Sequence, residues 1–399
     1  MSQLRDLQAR MAEITRLLGT QGAGKATQAI QDALAAAGLT SRPGPTGKRE
    51  AEPAQAPVSR PRSATQGFVT NLLAGLGGLG AGSAQPAADA EPETAGVPRP
   101  AGSFVNGVYS NGAGSRRYKV YVPSAHVAGR AMPLLVMLHG CTQDPDDFAR
   151  GTQMNRLAEE QGFLVVYPAQ EASANSSRCW NWFKSIDQTR DQGEPSLIAG
   201  ITHQVIEQYG AHRDEVYVAG LSAGGAMAVI MGTSYPDLYR AVGVHSGLPY
   251  AAASDLPSAL SAMKGGARRP ASGAGKAGAA LAAIPVIVFH GDRDATVSPA
   301  NGERVLNDFM AGYQSGAQLG NSGAPGAIST IMDEGSVEGG HRFSRTSLHT
   351  EGRPVLAEHW LIHGAGHAWA GGSAQGTYTD AKGPDASREM LRFFKTQGT

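Results

Sequence analysis

The stretch Val216-Tyr-Val-Ala-Gly-Leu-Ser-Ala-Gly-Gly-Ala-Met227 decides how the rest of this chain is read. A short β-branched and aromatic run, Val216 to Val218, leads into Gly220-Leu-Ser-Ala-Gly224, and an apolar helical run continues from Ala226 to Met231. A strand, a tight glycine turn and a helix form the context that a nucleophile elbow requires. The turn holds its serine in a strained backbone conformation, and glycines on either side leave room for it. Ser222 would then stand at a helix N-terminus, where the dipole favours a developing negative charge. A serine in a surface turn also matches the bare pentapeptide. The flanking strand and helix favour a nucleophile.

A serine nucleophile needs a base and an orienting carboxylate, here in the chain order Ser, Asp, His, each just past a later strand. The apolar run 284–289 is followed by His290-Gly-Asp-Arg-Asp-Ala-Thr-Val297, which offers Asp292 and Asp294. The H-G-x-x-D-x-x-V spacing favours Asp294, with Asp292 capping the turn. A loop aspartate bonded to its own backbone is the competing account of either. The run His359-Trp-Leu-Ile-His363 reads as another strand and enters the glycine-rich Gly364-Ala-Gly-His367 loop. His367 is the expected base, and His363 the competing strand-end histidine. An oxyanion hole needs two backbone N–H groups. The residue after the nucleophile, Ala223, supplies one. The loop after strand 134–138, His139-Gly-Cys-Thr142, supplies the other at Cys141.

His139-Gly-Cys-Thr-Gln143, Cys179-Trp-Asn-Trp-Phe183, Gly220-Leu-Ser-Ala-Gly-Gly225, Gly366-His-Ala-Trp369 and the run from Thr379 to Met390 occur in this order. Together, from about Gly102 to the C-terminus, they resemble the polyhydroxybutyrate (PHB) depolymerase family of esterases, which includes feruloyl- and acetylxylan-esterase-like members. The resemblance implies an α/β-hydrolase fold and a Ser-Asp-His triad at Ser222, Asp294 and His367, with oxyanion donors at Cys141 and Ala223. It implies an ester substrate, often a hydroxyalkanoate polymer or oligomer, and no cofactor. The two cysteines, Cys141 and Cys179, lie in motifs expected near the site. We expect them to be close enough for a disulfide, and the resemblance points the same way. Two reduced, buried thiols are the alternative. Two cysteines are too few for a zinc site.

Outside the catalytic motifs, leucines 4, 7 and 18 with Met11 and Ile14 make one apolar stripe, so residues 3–39 read as two helices. Such a hairpin can pack on the enzyme, pair with another copy or lie on a polyester granule surface. Residues 40–101 are rich in Pro, Ala, Gly and Ser and read as a largely disordered linker. The catalytic domain, 102–399, opens with a hairpin signal at Ser110-Asn-Gly112. Strands at 134–138, 163–167, 216–219, 241–245, 286–289 and 358–362 alternate with helices at 154–161, 196–209, 224–234, 299–310 and 386–395. That alternation means a mostly parallel sheet with helices on both faces. Segments 256–283 and 316–340 read as loop insertions, each a surface loop rather than a lid. Trp369 is the expected pocket wall. Trp180 and Trp182 are divided between pocket and core.

Lys and Arg number 34 and so do Asp and Glu, which gives no electrostatic basis for binding nucleic acid or an anionic membrane. No segment is long and apolar enough to span a bilayer. The N-terminus, Met1-Ser-Gln-Leu-Arg, lacks an apolar h-region and predicts a cytoplasmic protein. An extracellular location, as in secreted members of the resembling family, is the alternative.

Overall fold

A computed structural model describes residues 102–265, 284–314 and 327–398. The expected helices of 3–39 and linker of 40–101 lie outside the described residues. One ten-stranded sheet organises the rest, in the order β1-β2-β4-β3-β5-β6-β7-β10-β9-β8. Its centre is parallel: β4 (Leu164–Pro168), β3 (Leu134–Leu138), β5 (Val216–Leu221), β6 (Ala241–His245), β7 (Val286–Gly291) and β10 (Ala357–His363). From β3 to β7 every central residue is buried, as continuous Val/Leu/Ile runs require when helices cover both faces.

Alternate residues of these strands feed two cores. Val136, Val218, Val244 and Val288 face one side, with α3 (Gly193–Tyr209), α4 (Ala223–Ser234), α5 (Leu256–Met263) and α6 (Ala300–Gln314). Leu135, Met137, Ala219, Ile287 and Phe289 face the other, against α1 (Pro145–Thr152), α2 (Met154–Gln161) and α7 (Ala386–Lys395). This is the mostly parallel, doubly covered sheet that the alternation of elements implies, and the α/β-hydrolase fold that the family resemblance implies. No helix among the described residues is long and apolar enough to cross a membrane.

Antiparallel hairpins close both edges. β1 (Ser103–Asn111) pairs with β2 (Gly114–Val122), and the side chain of Asn111 accepts from the N–H of Ala113 to shape the turn. At the other edge, β8 (Ser329–Ser336) pairs with β9 (Arg342–His349). β8 lies inside the 316–340 segment expected as a loop. The reason is physical: every residue of β8 is exposed or nearly so, so no apolar face marks its period of two. Polar cross-strand pairs hold it instead, with Asp333 opposite Arg345 and their side chains 2.8 Å apart. Two helices also went unread. α1 starts at an Asp144 cap followed by Pro145, and α5 at an Asp255 capping box within the supposed 256–283 insertion. The remainder of that insertion, 266–283, lies outside the described residues, as does 315–326.

Candidate active site

The turn between β5 and α4 sets Ser222 at φ 57° and ψ −119°, a conformation that L-residues rarely adopt. Two close approaches explain the glycines around it. A methyl group on Gly224 would stand 2.0 Å from the Leu138 carbonyl oxygen, and one on Gly220 would stand 2.4 Å from the Gly224 carbonyl carbon. The Ser222 N–H donates to the His245 carbonyl at 2.9 Å, which ties the elbow to the end of β6. Ala223 is the first residue of α4, so its N–H has no intrahelical acceptor.

Asp294 follows β7, and His367 follows β10. The Nδ1–H of His367 donates to Asp294 Oδ2 at 2.7 Å, and both side chains are almost entirely buried. Asp294 Oδ1 accepts from the N–H groups of Thr296 and Val297 at 2.9 and 2.8 Å. Burial by itself pushes this carboxyl up, but hydrogen bonds from His290 and His367 outweigh it and hold Asp294 well below the usual carboxylate range. It therefore faces His367 as an anion.

The competing pair is resolved differently. Asp292 does not cap its own turn. It accepts from the Gly364 N–H at 2.7 Å and lies 3.1 Å from His363 Nδ1. The other ring nitrogen of His363 is 2.8 Å from Ser344 Oγ on β9. The two carboxylates thus divide the two histidines, and Asp292 and His363 are each about one-third exposed.

The loop after β3 is fixed from several directions. His139 is buried, and burial lowers its pKa to about 4. Its Nε2 accepts from the Gln170 N–H at 3.1 Å, so Nδ1 carries the proton and donates to the Gly140 carbonyl at 2.7 Å. Trp180 Nε1 donates to the His139 carbonyl, and the Thr142 N–H donates to the Ser177 carbonyl. A disulfide joins Cys141 to Cys179, with Cα atoms 4.2 Å apart. Behind the Cys179-Trp-Asn-Trp run lies a buried polar network. Glu194 accepts from the Asn181 N–H at 2.7 Å and its side-chain amide at 2.6 Å, and Arg116 lies 3.4 Å away.

A recess of about 370 Å³, counting the space open to solvent, lies beside Ser222 and Ala223. The disulfide, Trp182, Phe183, Leu248, Met263 and Val297 line it, and no charged side chain does so among the described residues. Val297 ties this recess to Asp294 through its own N–H. Of the tryptophans expected here, Trp182 lines the recess. Trp180 is fully buried in one core. Trp369 is not a wall of the recess but lies in the other core, stacked on His245 with Nε1 donating to Ser387 Oγ at 3.0 Å. Sequence reading missed His245, Leu248 and Met263. The first lies within a strand run and the others carry no motif. Among the described residues, no group of three or more His, Cys, Asp or Glu is placed to hold a metal.

Fold and site define this protein as an α/β-hydrolase with a strained serine at the turn after β5 and a buried Asp–His pair on the loops after β7 and β10. The chain belongs to the esterase PHB depolymerase family, whose profile matches residues 116–324. It is 34% identical over 195 residues to poly(3-hydroxyalkanoate) depolymerase C of Paucimonas lemoignei, covering 47% of this chain and 46% of that one. It is 32% identical over 151 residues to feruloyl esterase B of Neurospora crassa, covering 38% and 50%. The chain therefore spans about half the length of these curated relatives. An acetyl xylan esterase from Aspergillus awamori shares the fold, with a TM-score of 0.50 at 19% identity over 70% of this chain and 94% of that one.

Proposed function

We propose that this protein is a serine carboxylic-ester hydrolase acting on poly- or oligo(3-hydroxybutyrate)-type esters. The observation that carries the reading is the 2.7 Å bond between His367 Nδ1 and Asp294 Oδ2, on the loops after β10 and β7, in a sheet whose β5 ends at the strained Ser222. Ser222 Oγ attacks the ester carbonyl while His367 takes its proton. Asp294 keeps the proton on Nδ1 and stabilises the imidazolium. The N–H groups of Ala223 and Cys141 receive the oxyanion. His367 then protonates the leaving alcohol, and a water activated by His367 hydrolyses the acyl-enzyme. An acyl pocket with no charged lining side chain among the described residues suits a neutral hydroxyalkanoyl group.

A feruloyl- or acetylxylan-type esterase is the second reading, supported by the relative in Neurospora crassa and by Trp182 and Phe183 in the recess, which can receive an aromatic acyl group. Turnover of 3-hydroxybutyrate oligomers, amorphous PHB, p-nitrophenyl butyrate, acetylated xylan and methyl ferulate by the full chain separates the two. Hydrolysis of the hydroxybutyrate esters, lost in Ser222→Ala, is the expected result. Hydrolysis of methyl ferulate or acetylated xylan alone would move the protein to the plant-ester branch. Binding to PHB granules without any turnover would instead leave a granule-coating protein.

A further inference from the structure

Asp294 has a neighbour that the reaction does not require. His290 Nε2 lies 3.5 Å from Asp294 Oδ2 and 2.9 Å from the Val297 carbonyl oxygen. A carbonyl only accepts, so Nε2 carries a proton, and in the neutral ring Nδ1 presents a lone pair. That Nδ1 is buried with no protein partner, and so is Nε2 of His359. The two residues are 0% and 7% exposed. In the parallel register of β7 and β10, His359 stands beside Val288, so His290, two residues further on, projects from the same face.

Both orphan nitrogens converge on Gly302 in the first turn of α6. A methyl group on Gly302 would lie 2.9 Å from His290 Nδ1 and 3.0 Å from His359 Nε2. Both nitrogens thus lie within 3.0 Å of one point, close enough to each other for one small polar molecule to bridge them. A buried nitrogen left without a partner loses its hydrogen bonds to water and gains none in return. Two that converge beside a glycine have the polar lining that an internal water needs.

We propose that a buried water bridges His290 Nδ1 and His359 Nε2, and that this relay makes His290 a positioning residue for Asp294. The role rests on the reading of Asp294 as the carboxylate that orients His367. The water donates to His290 Nδ1 and so fixes the Nε2–H tautomer. That N–H is shared between the Val297 carbonyl and Asp294 Oδ2, which keeps the carboxylate aimed at His367.

Two measurements on the full chain test this. A high-resolution crystal structure should show a water within hydrogen-bonding distance of both nitrogens. Direct contact between the nitrogens, or a dry gap, would overturn the relay. In steady-state hydrolysis of p-nitrophenyl butyrate, His290→Leu should lower kcat roughly tenfold to a hundredfold with KM unchanged. His290→Gln, which returns an N–H near the Nε2 position, should recover most of the loss. A folded His290→Leu protein with wild-type kcat would refute the positioning role, and if that variant does not fold, the crystal structure decides. Wild-type protein without Ser222-dependent turnover would refute the esterase reading, while the bridging water would still be decided by the density.

Discussion

Ser222 bears a positive φ that costs a non-glycine residue about 1–3 kcal/mol, and the surrounding structure enforces it. Gly220 and Gly224 admit the turn, and the His245 carbonyl fixes its N–H. The same economy of contacts separates the two aspartates. Asp294 spends both oxygens on N–H groups that point it at His367, whereas Asp292 secures Gly364 and His363. Asp294→Asn should therefore cut kcat by about four orders of magnitude, by analogy with orienting aspartates elsewhere. Asp292→Asn should leave most of it, since it removes only a brace on the loop that leads to His367. Kinetics on p-nitrophenyl butyrate measure both, and the reverse ranking would transfer the orienting role to Asp292. At this scale the turn at Ser222 and the pairing of Asp294 with His367 were legible because each of these residues follows an apolar run closely. His290 and His359 were not, because inside strand runs a buried histidine looks like any other strand residue.

The loop after β3 and the Cys179-Trp-Asn-Trp run behave as one unit, held by the disulfide and by Glu194. Closing a loop of 38 residues by a disulfide stabilises a fold by about 4 kcal/mol in the chain-entropy account. Reduction of the native protein should lower the thermal midpoint and the esterase activity together, because Cys141 lines the recess beside Ser222. Unfolding curves with and without a phosphine reductant report the first effect, and unchanged curves would contradict it. Glu194→Ala leaves the buried Arg116 with hydrogen bonds to Gln170 and Ser115 but no counter-charge, a loss of about 3–5 kcal/mol that urea denaturation should register. An Ala variant within 1 kcal/mol of wild type, roughly the size of a routine substitution, would show that Glu194 is dispensable. Sequence placed both cysteines near the site through their motifs. Glu194 escaped because its partners come from β2, the loop after β4 and the run after Cys179, a grouping that no local pattern records.

Across the whole molecule, the central sheet was readable because its strands are apolar on both faces, while the outer strand β8 was not because both of its faces are exposed. Burying histidines within that sheet and at its strand ends has a consequence for acid stability. Burial lowers His139 and His359 to about 4 and His245 to about 3, against an ordinary value of 6.5. Each is neutral in the native state and binds a proton on unfolding below 6.5, so the unfolded chain takes up more protons. Stability is complete above pH 6.5 and falls as pH drops towards 4, by about 1.4 kcal/mol per pH unit for each fully titrating ring. Thermal midpoints measured from pH 7.5 to 4 should decline through this window, and a flat profile would contradict the buried neutral assignment. The central claim is that Ser222 is the nucleophile. Its most direct test is to treat the full chain with a fluorophosphonate and locate the adduct by peptide mass spectrometry. The account predicts a single adduct on the peptide carrying Ser222, formed in step with loss of esterase activity and absent in Ser222→Ala. An adduct on another serine, or full inactivation with Ser222 unmodified, would contradict it.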